Sequence, residues 1–163
     1  MDARQKLTDW LDENINMFSG MLGMMTGSPK AWERSIRTFE RRDRLAPPTS
    51  AAIVFTGSSS IHFWTSLQRD MAPLQVINRG FGGAGMDDVV RYAARVVLPY
   101  RPRAVVLFAG TNDIAWPRPA AALQVFDGYR AFVQRVQADL PGVPIYYISI
   151  TPTPSSPRTT RKA

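Results

Sequence analysis

Three small polar stretches carry the residue types of acyl-transfer chemistry. Gly57-Ser58-Ser59-Ser60, Asn78-Arg79-Gly80-Phe81-Gly82-Gly83-Ala84-Gly85 and Gly110-Thr111-Asn112-Asp113 each follow a short apolar run. Acyl transfer needs a nucleophile, a base and donors for a tetrahedral oxyanion. A serine at a strand–helix junction meets the free amides and positive dipole end of the helix. A glycine lets a backbone amide approach substrate unshielded, and an asparagine carboxamide donates from its side chain. Each residue alone has a plainer use: serine caps helices, glycine suits turns, and asparagine bonds its own loop. The three in order, after three successive strands, are harder to explain that way. At this level the choice among Ser58, Ser59 and Ser60 stays open.

His62, the only histidine of the chain, lies three residues after Ser59 and would neighbour it on a helix surface. A base must also reach the leaving group across the substrate. A residue in the nucleophile's own helical turn is badly placed for that, so His62 is expected to be a bystander. Other chemistries fit less well. GFGGAG (80–85) matches the G-x-G-x-x-G dinucleotide pattern, but it follows the second strand and no acidic residue ends the next one. Gly57-Ser58-Ser59-Ser60-Ile61 lacks the second glycine of a nucleophile elbow. There is no Gly-Lys-Ser/Thr phosphate loop. With no cysteine and one histidine, zinc would depend on carboxylates. No metal and no other cofactor is expected.

The elements that would position these loops alternate. AAIVF (51–55), LQVIN (74–78), AVVLFA (104–109) and PIYYISI (144–150) are apolar runs of buried-strand type. Between them, helical patterns cover about 60–70, 86–98 and 121–140, the last stopped by Pro141-Gly142. Alternation of this kind predicts an α/β fold, a doubly wound parallel sheet in a three-layer sandwich, with function at the carboxyl ends of the strands. Upstream, Ser28-Pro29 reads as a helix start with Trp32, Ile36 and Phe39 on one face, ended by Pro47-Pro48. Residues 1–28 form an amphipathic helical extension in which Leu7, Trp10, Leu11, Ile15 and Phe18 recur at helical spacing. Residues 29–150 make the domain. Residues 151–163, rich in Pro, Ser, Thr and basic side chains, read as a disordered tail.

The 163 residues suit one domain, and 45% hydrophobic with 20% charged is ordinary for a globular protein. No apolar run approaches the roughly 18 residues of a membrane span. The N-terminus is a poor signal peptide, so a cytoplasmic location is expected. The net charge of +7 could serve nucleic acid. The arginines are scattered, however, and acidic residues interrupt the densest cluster, Glu40-Arg41-Arg42-Asp43-Arg44. No nucleic-acid partner is expected.

FTGSSSIHFW, VINRGFGGAGMDDV and LFAGTNDI together resemble the three leading blocks of the SGNH (GDSL-type) hydrolases, a family of esterases, lipases and acylhydrolases. The resemblance runs from about Trp32 to Pro154. It implies a flavodoxin-like SGNH fold and a small-molecule ester substrate. It also implies a nucleophile two residues after the glycine of the first block, which is Ser59; Ser58 stands where the family usually has Asp. The implied oxyanion hole combines the Ser59 amide, Gly83 (Gly82 as fallback) and the Asn112 side chain. Asp113 is expected to order its loop rather than react. The family's base is a histidine in a late Asp-x-x-His block after a fifth strand, and no histidine follows Asn112. The expectation is therefore a fold with four strands present, its fifth strand and last helix missing through truncation, a shifted reading frame or a natural remnant. Serine ester hydrolysis would be impaired, and self-association could follow through the exposed edge strand. The alternative is a non-catalytic binding or interaction remnant.

Overall fold

The computed structural model describes residues 30–115 and 121–151. The amphipathic pattern of residues 1–28 and the tail from 152 onward lie outside the described residues.

Four strands form one sheet: β1 (Ile53–Gly57), β2 (Val76–Gly80), β3 (Ala104–Phe108) and β4 (Ile145–Tyr147), in the spatial order β2-β1-β3-β4. All pairings are parallel, with Phe55 opposite Asn78 and Val106, and Val106 opposite Tyr146. The first pair of strands turns one way and the later strands the other, so the order reverses next to β1. That is the switch point where open α/β sheets place their sites. The helices are α1 (Glu33–Leu45), α2 (Ser59–His62), α3 (Leu67–Asp70), α4 (Met86–Val96), α5 (Thr111–Ala115) and α6 (Ala121–Asp139). The expected three-layer α/β sandwich is thus the observed fold.

Side-chain alternation along the strands makes two cores. Val54, Ile77, Val105 and Leu107 face α1, α4 and α6, where they pack with Trp32, Ile36, Phe81, Val89, Val96 and Phe132. Phe55 and Val76 face the other way, under Ile61 and Leu67 of α2 and α3. Among the described residues this second layer is thin, and Tyr146 and Ile148 beside it are 61% and 40% exposed. Arginines pair across elements rather than gathering: Arg95 bonds Glu33 and Glu40, and Arg79 bonds Asp43. No helix of the described residues is long and apolar enough to cross a membrane.

Boundaries differ from the sequence expectation in an instructive way. β1 and β2 each run two residues further, into Gly57 and Gly80. The expected helix at 60–70 is two single turns. Between them the bonding is of 3₁₀ type, Trp64 N–H to the Ile61 carbonyl and Leu67 N–H to that of Trp64, and Asn78 Nδ2 donates to the same two carbonyls at 2.6 and 3.4 Å. The last strand is shorter than the run at 144–150, and the helix at 86–98 ends at Val96 before a 3₁₀ turn, Leu98–Tyr100.

Candidate functional site

The three polar loops meet at the carboxyl edge of β1, β2 and β3. Backbone bonds close that edge: Ser58 N–H donates to the Phe108 carbonyl, and Phe81 N–H to the Gly57 carbonyl, both at 2.9 Å. The glycines make this approach feasible. A Cβ on Gly57 would lie 2.0 Å from the Phe108 carbonyl oxygen, and Gly57 has φ +138°. A Cβ on Gly80 would lie 2.4 Å from the His62 backbone nitrogen, so α2 rests directly on the end of β2.

The three serines differ in surroundings. Ser58 is buried, Ser59 half-buried and Ser60 exposed. Ser58 is the N-cap residue, and its carbonyl accepts from Ile61 and His62 at 3.1 and 3.0 Å. Ser59 is the first helical residue, a position whose N–H has no acceptor within the helix. Because α2 is one turn long, the dipole expected to favour an anion here is only that of a single turn.

In the second loop, Ala84 N–H closes a tight turn on the Phe81 carbonyl at 3.4 Å. Gly83 holds φ +78° at the third position of this turn, where a left-handed residue is required. Trp32, buried, donates Nε1–H to the Gly82 carbonyl at 2.8 Å and fixes the turn against α1. Gly82 therefore anchors, and Gly83 is the half-buried residue at the edge.

The third loop bonds the second. Asn112 Nδ2 donates to the Ala84 carbonyl at 2.9 Å. That partner only accepts, which sets the amide orientation, and the second hydrogen of the NH2 group is not used by this bond. Asp113 accepts from Met86 N–H at 3.2 Å through both carboxylate oxygens. Asp88 Oδ2 accepts from Gly85 N–H at 3.0 Å. Burial pushes the Asp88 carboxyl up to about 6; the Gly85 bond opposes this, and the charge of Asp113 adds to it.

His62 donates Nδ1–H to the Gly80 carbonyl at 3.2 Å, and its ring packs edge-on against Phe63. It borders a hollow of about 270 Å³ shared with Phe39, Arg42 and Trp64. A larger hollow of about 450 Å³ lies at the opposite, amino edge of the sheet, between Arg101–Arg103 and Asp139–Pro144. It gathers no nucleophile with a base. Among the described residues no cluster of His, Asp and Glu could hold a metal ion.

Sequence reasoning brought Ser59, Gly83 and Asn112 to this edge but missed the supports. Trp32, Gly80 and Asp88 are the largest omissions. Asp88 had a signal, since an acid three residues after a glycine that opens a helix suits an N-terminal cap. Trp32 had none, because its partner is fifty positions away.

Solved structures share this architecture. A GDSL-like lipase from Bacteroides thetaiotaomicron superposes with a TM-score of 0.61 at 20% identity, over 72% of this chain and 59% of that one. A protein from Streptococcus pneumonia described as a platelet activating factor gives 0.61 at 23% identity, over 72% and 54%. A Bacteroides fragilis protein described as an acylhydrolase gives 0.57 at 21%, over 68% and 55%. These likenesses establish the class, an α/β fold of the GDSL-like lipase type; the chain spans little more than half the length of each. No curated protein matches it. The GDSL-like lipase/acylhydrolase family model matches residues 33–163, and the chain belongs to that family.

Proposed function

We propose that the chain carries the nucleophile and oxyanion half of a serine ester hydrolase site. Ser59 Oγ attacks the acyl carbon of a small-molecule ester and gives up its proton to solvent water, while the carbonyl electron pair moves onto oxygen. The Ser59 and Gly83 amides and the Asn112 side chain receive that oxyanion. Collapse expels the alcohol, which takes a proton, and water then releases the acid from acyl-Ser59. Donors of this kind are each worth roughly 3–4 kcal/mol in other hydrolases.

The observation that carries this reading is the bonding of three successive strand ends into one edge, with Ser59 half-buried between a buried and an exposed serine. His62, the one histidine of the 163 residues, has its Nδ1–H committed to Gly80. With its one histidine so placed, the 163 residues are read as an impaired catalyst. The commitment of His62 Nδ1–H to the Gly80 carbonyl favours the second reading, a binding module of the same fold. Exposed Tyr146 on β4 and Ile148 just beyond it support self-association through that strand.

Hydrolysis of a short-chain p-nitrophenyl ester separates the two readings. The enzyme reading expects slow turnover that Ser59→Ala abolishes. Equal rates in wild type and variant would leave the binding module.

A further inference from the structure

We propose that Asp113 and Asp88 are positioning residues of the oxyanion site, holding the loop after Gly83 at the height of Asn112. This rests on the ester-hydrolase reading above, but the geometry is separable from it. Three consecutive residues behind Gly83 are each tied by a different side chain. Ala84 gives its carbonyl to Asn112, Gly85 gives its N–H to Asp88, and Met86 gives its N–H to Asp113. Asn112 and Asp113 are neighbours in sequence, so one short helix, α5, grips the second loop by both a carbonyl and an amide.

Gly85 is the complementary half of this grip. Its φ of −90° is open to any residue, so backbone strain does not explain a glycine here. A Cβ at that position, however, would lie 2.8 Å from Asp113 Oδ1. A side chain here would push the carboxylate from its place against Met86. Asp113 also reaches Met86 with both oxygens at 3.2 Å, a bifurcated contact at the first amide of α4, where no helical acceptor exists. A carboxylate at this place thus supplies what the helix start lacks. It also fixes where the chain leaves the Phe81–Ala84 turn, and with it where the Gly83 amide points. Misplacing an oxyanion donor by about 1 Å is enough to cost on the order of 100-fold in rate.

Two measurements on the full chain test this. The first is amide hydrogen exchange at Gly85 and Met86, which needs no catalysis. Asp113→Ala should speed Met86 exchange roughly 10- to 100-fold, the scale of a lost charge-assisted bond, and Asp88→Ala should do the same at Gly85. Asp113→Asn keeps an acceptor oxygen and should recover most of the protection. Gly85→Ala should mimic Asp113→Ala, and should add little once Asp113 is already alanine. The second is p-nitrophenyl ester kinetics, where Asp113→Ala should lower kcat with KM unchanged, as expected for loss of a transition-state contact. Unchanged exchange in Asp113→Ala, additive effects of the two substitutions, or a change confined to KM would overturn the proposal. If wild type hydrolyses no ester, the catalytic reading fails while the exchange data still decide the grip.

Discussion

The two faces of the sheet are built to different standards. One buries Val54, Ile77, Val105 and Leu107 beneath three helices of 11 to 19 residues, α1, α4 and α6. The other buries Phe55 and Val76 beneath two single turns and leaves Tyr146 and Ile148 exposed. The site straddles this divide. Gly83 leads into α4 and Asn112 lies in α5, on the thickly covered side. Ser59 opens α2 on the thinly covered side. Two donors of the proposed oxyanion hole, Gly83 and Asn112, thus stand on the firmer layer, while the proposed nucleophile and its own amide stand on the softer one, held by Asn78 and the Gly80 contact.

Truncations in the two cores should register that difference first. Phe132 is fully buried among α4, α6 and the sheet, so Phe132→Ala should cost about 3–5 kcal/mol in denaturant unfolding. Ile61 is also buried, but its layer can settle into the gap, and Ile61→Ala should fall near about 2 kcal/mol. Equal losses at the two positions would erase the distinction between the faces.

A smaller effect comes from Asp88. Its carboxyl is raised from 3.8 to about 6, chiefly by burial. The folded form then holds the proton more tightly than the unfolded chain. This stability is fully present below about pH 4 and is lost as the pH rises through about 6. Asp88→Asn cannot ionise, so its stability relative to wild type should improve by about 1–2 kcal/mol between pH 4 and 7, after allowance for partial solvent screening. Thermal melts across that range check the sign. The smallest folding effect is expected on the open face: Ile148→Lys should change stability by less than about 0.5 kcal/mol. It should nevertheless shift sedimentation toward monomer if β4 mediates self-association.

Much of this was readable from the residues. The order of strands and helices follows from apolar runs and their spacing, and the three loops were placed at the correct edge. What the pattern misjudged were strand ends. Thr56-Gly57 and Arg79-Gly80 look like loop, yet their backbones pair, because glycine admits the neighbouring carbonyl or helix so closely. The continuous helix at 60–70 gives way to 3₁₀-type bonds between Ile61, Trp64 and Leu67, at carbonyls to which Asn78, distant in sequence, also donates. Local pattern cannot report a partner from another strand, and the bonds of Trp32 with Gly82 and of Asp113 with Met86 are of that kind.

The central claim concerns one hydroxyl among three adjacent serines. Ser58→Ala, Ser59→Ala and Ser60→Ala, assayed side by side for release of p-nitrophenol with circular dichroism to confirm folding, address it directly. The account predicts loss to the uncatalysed rate in Ser59→Ala alone, with Ser60→Ala close to wild type. Full activity in folded Ser59→Ala would contradict it.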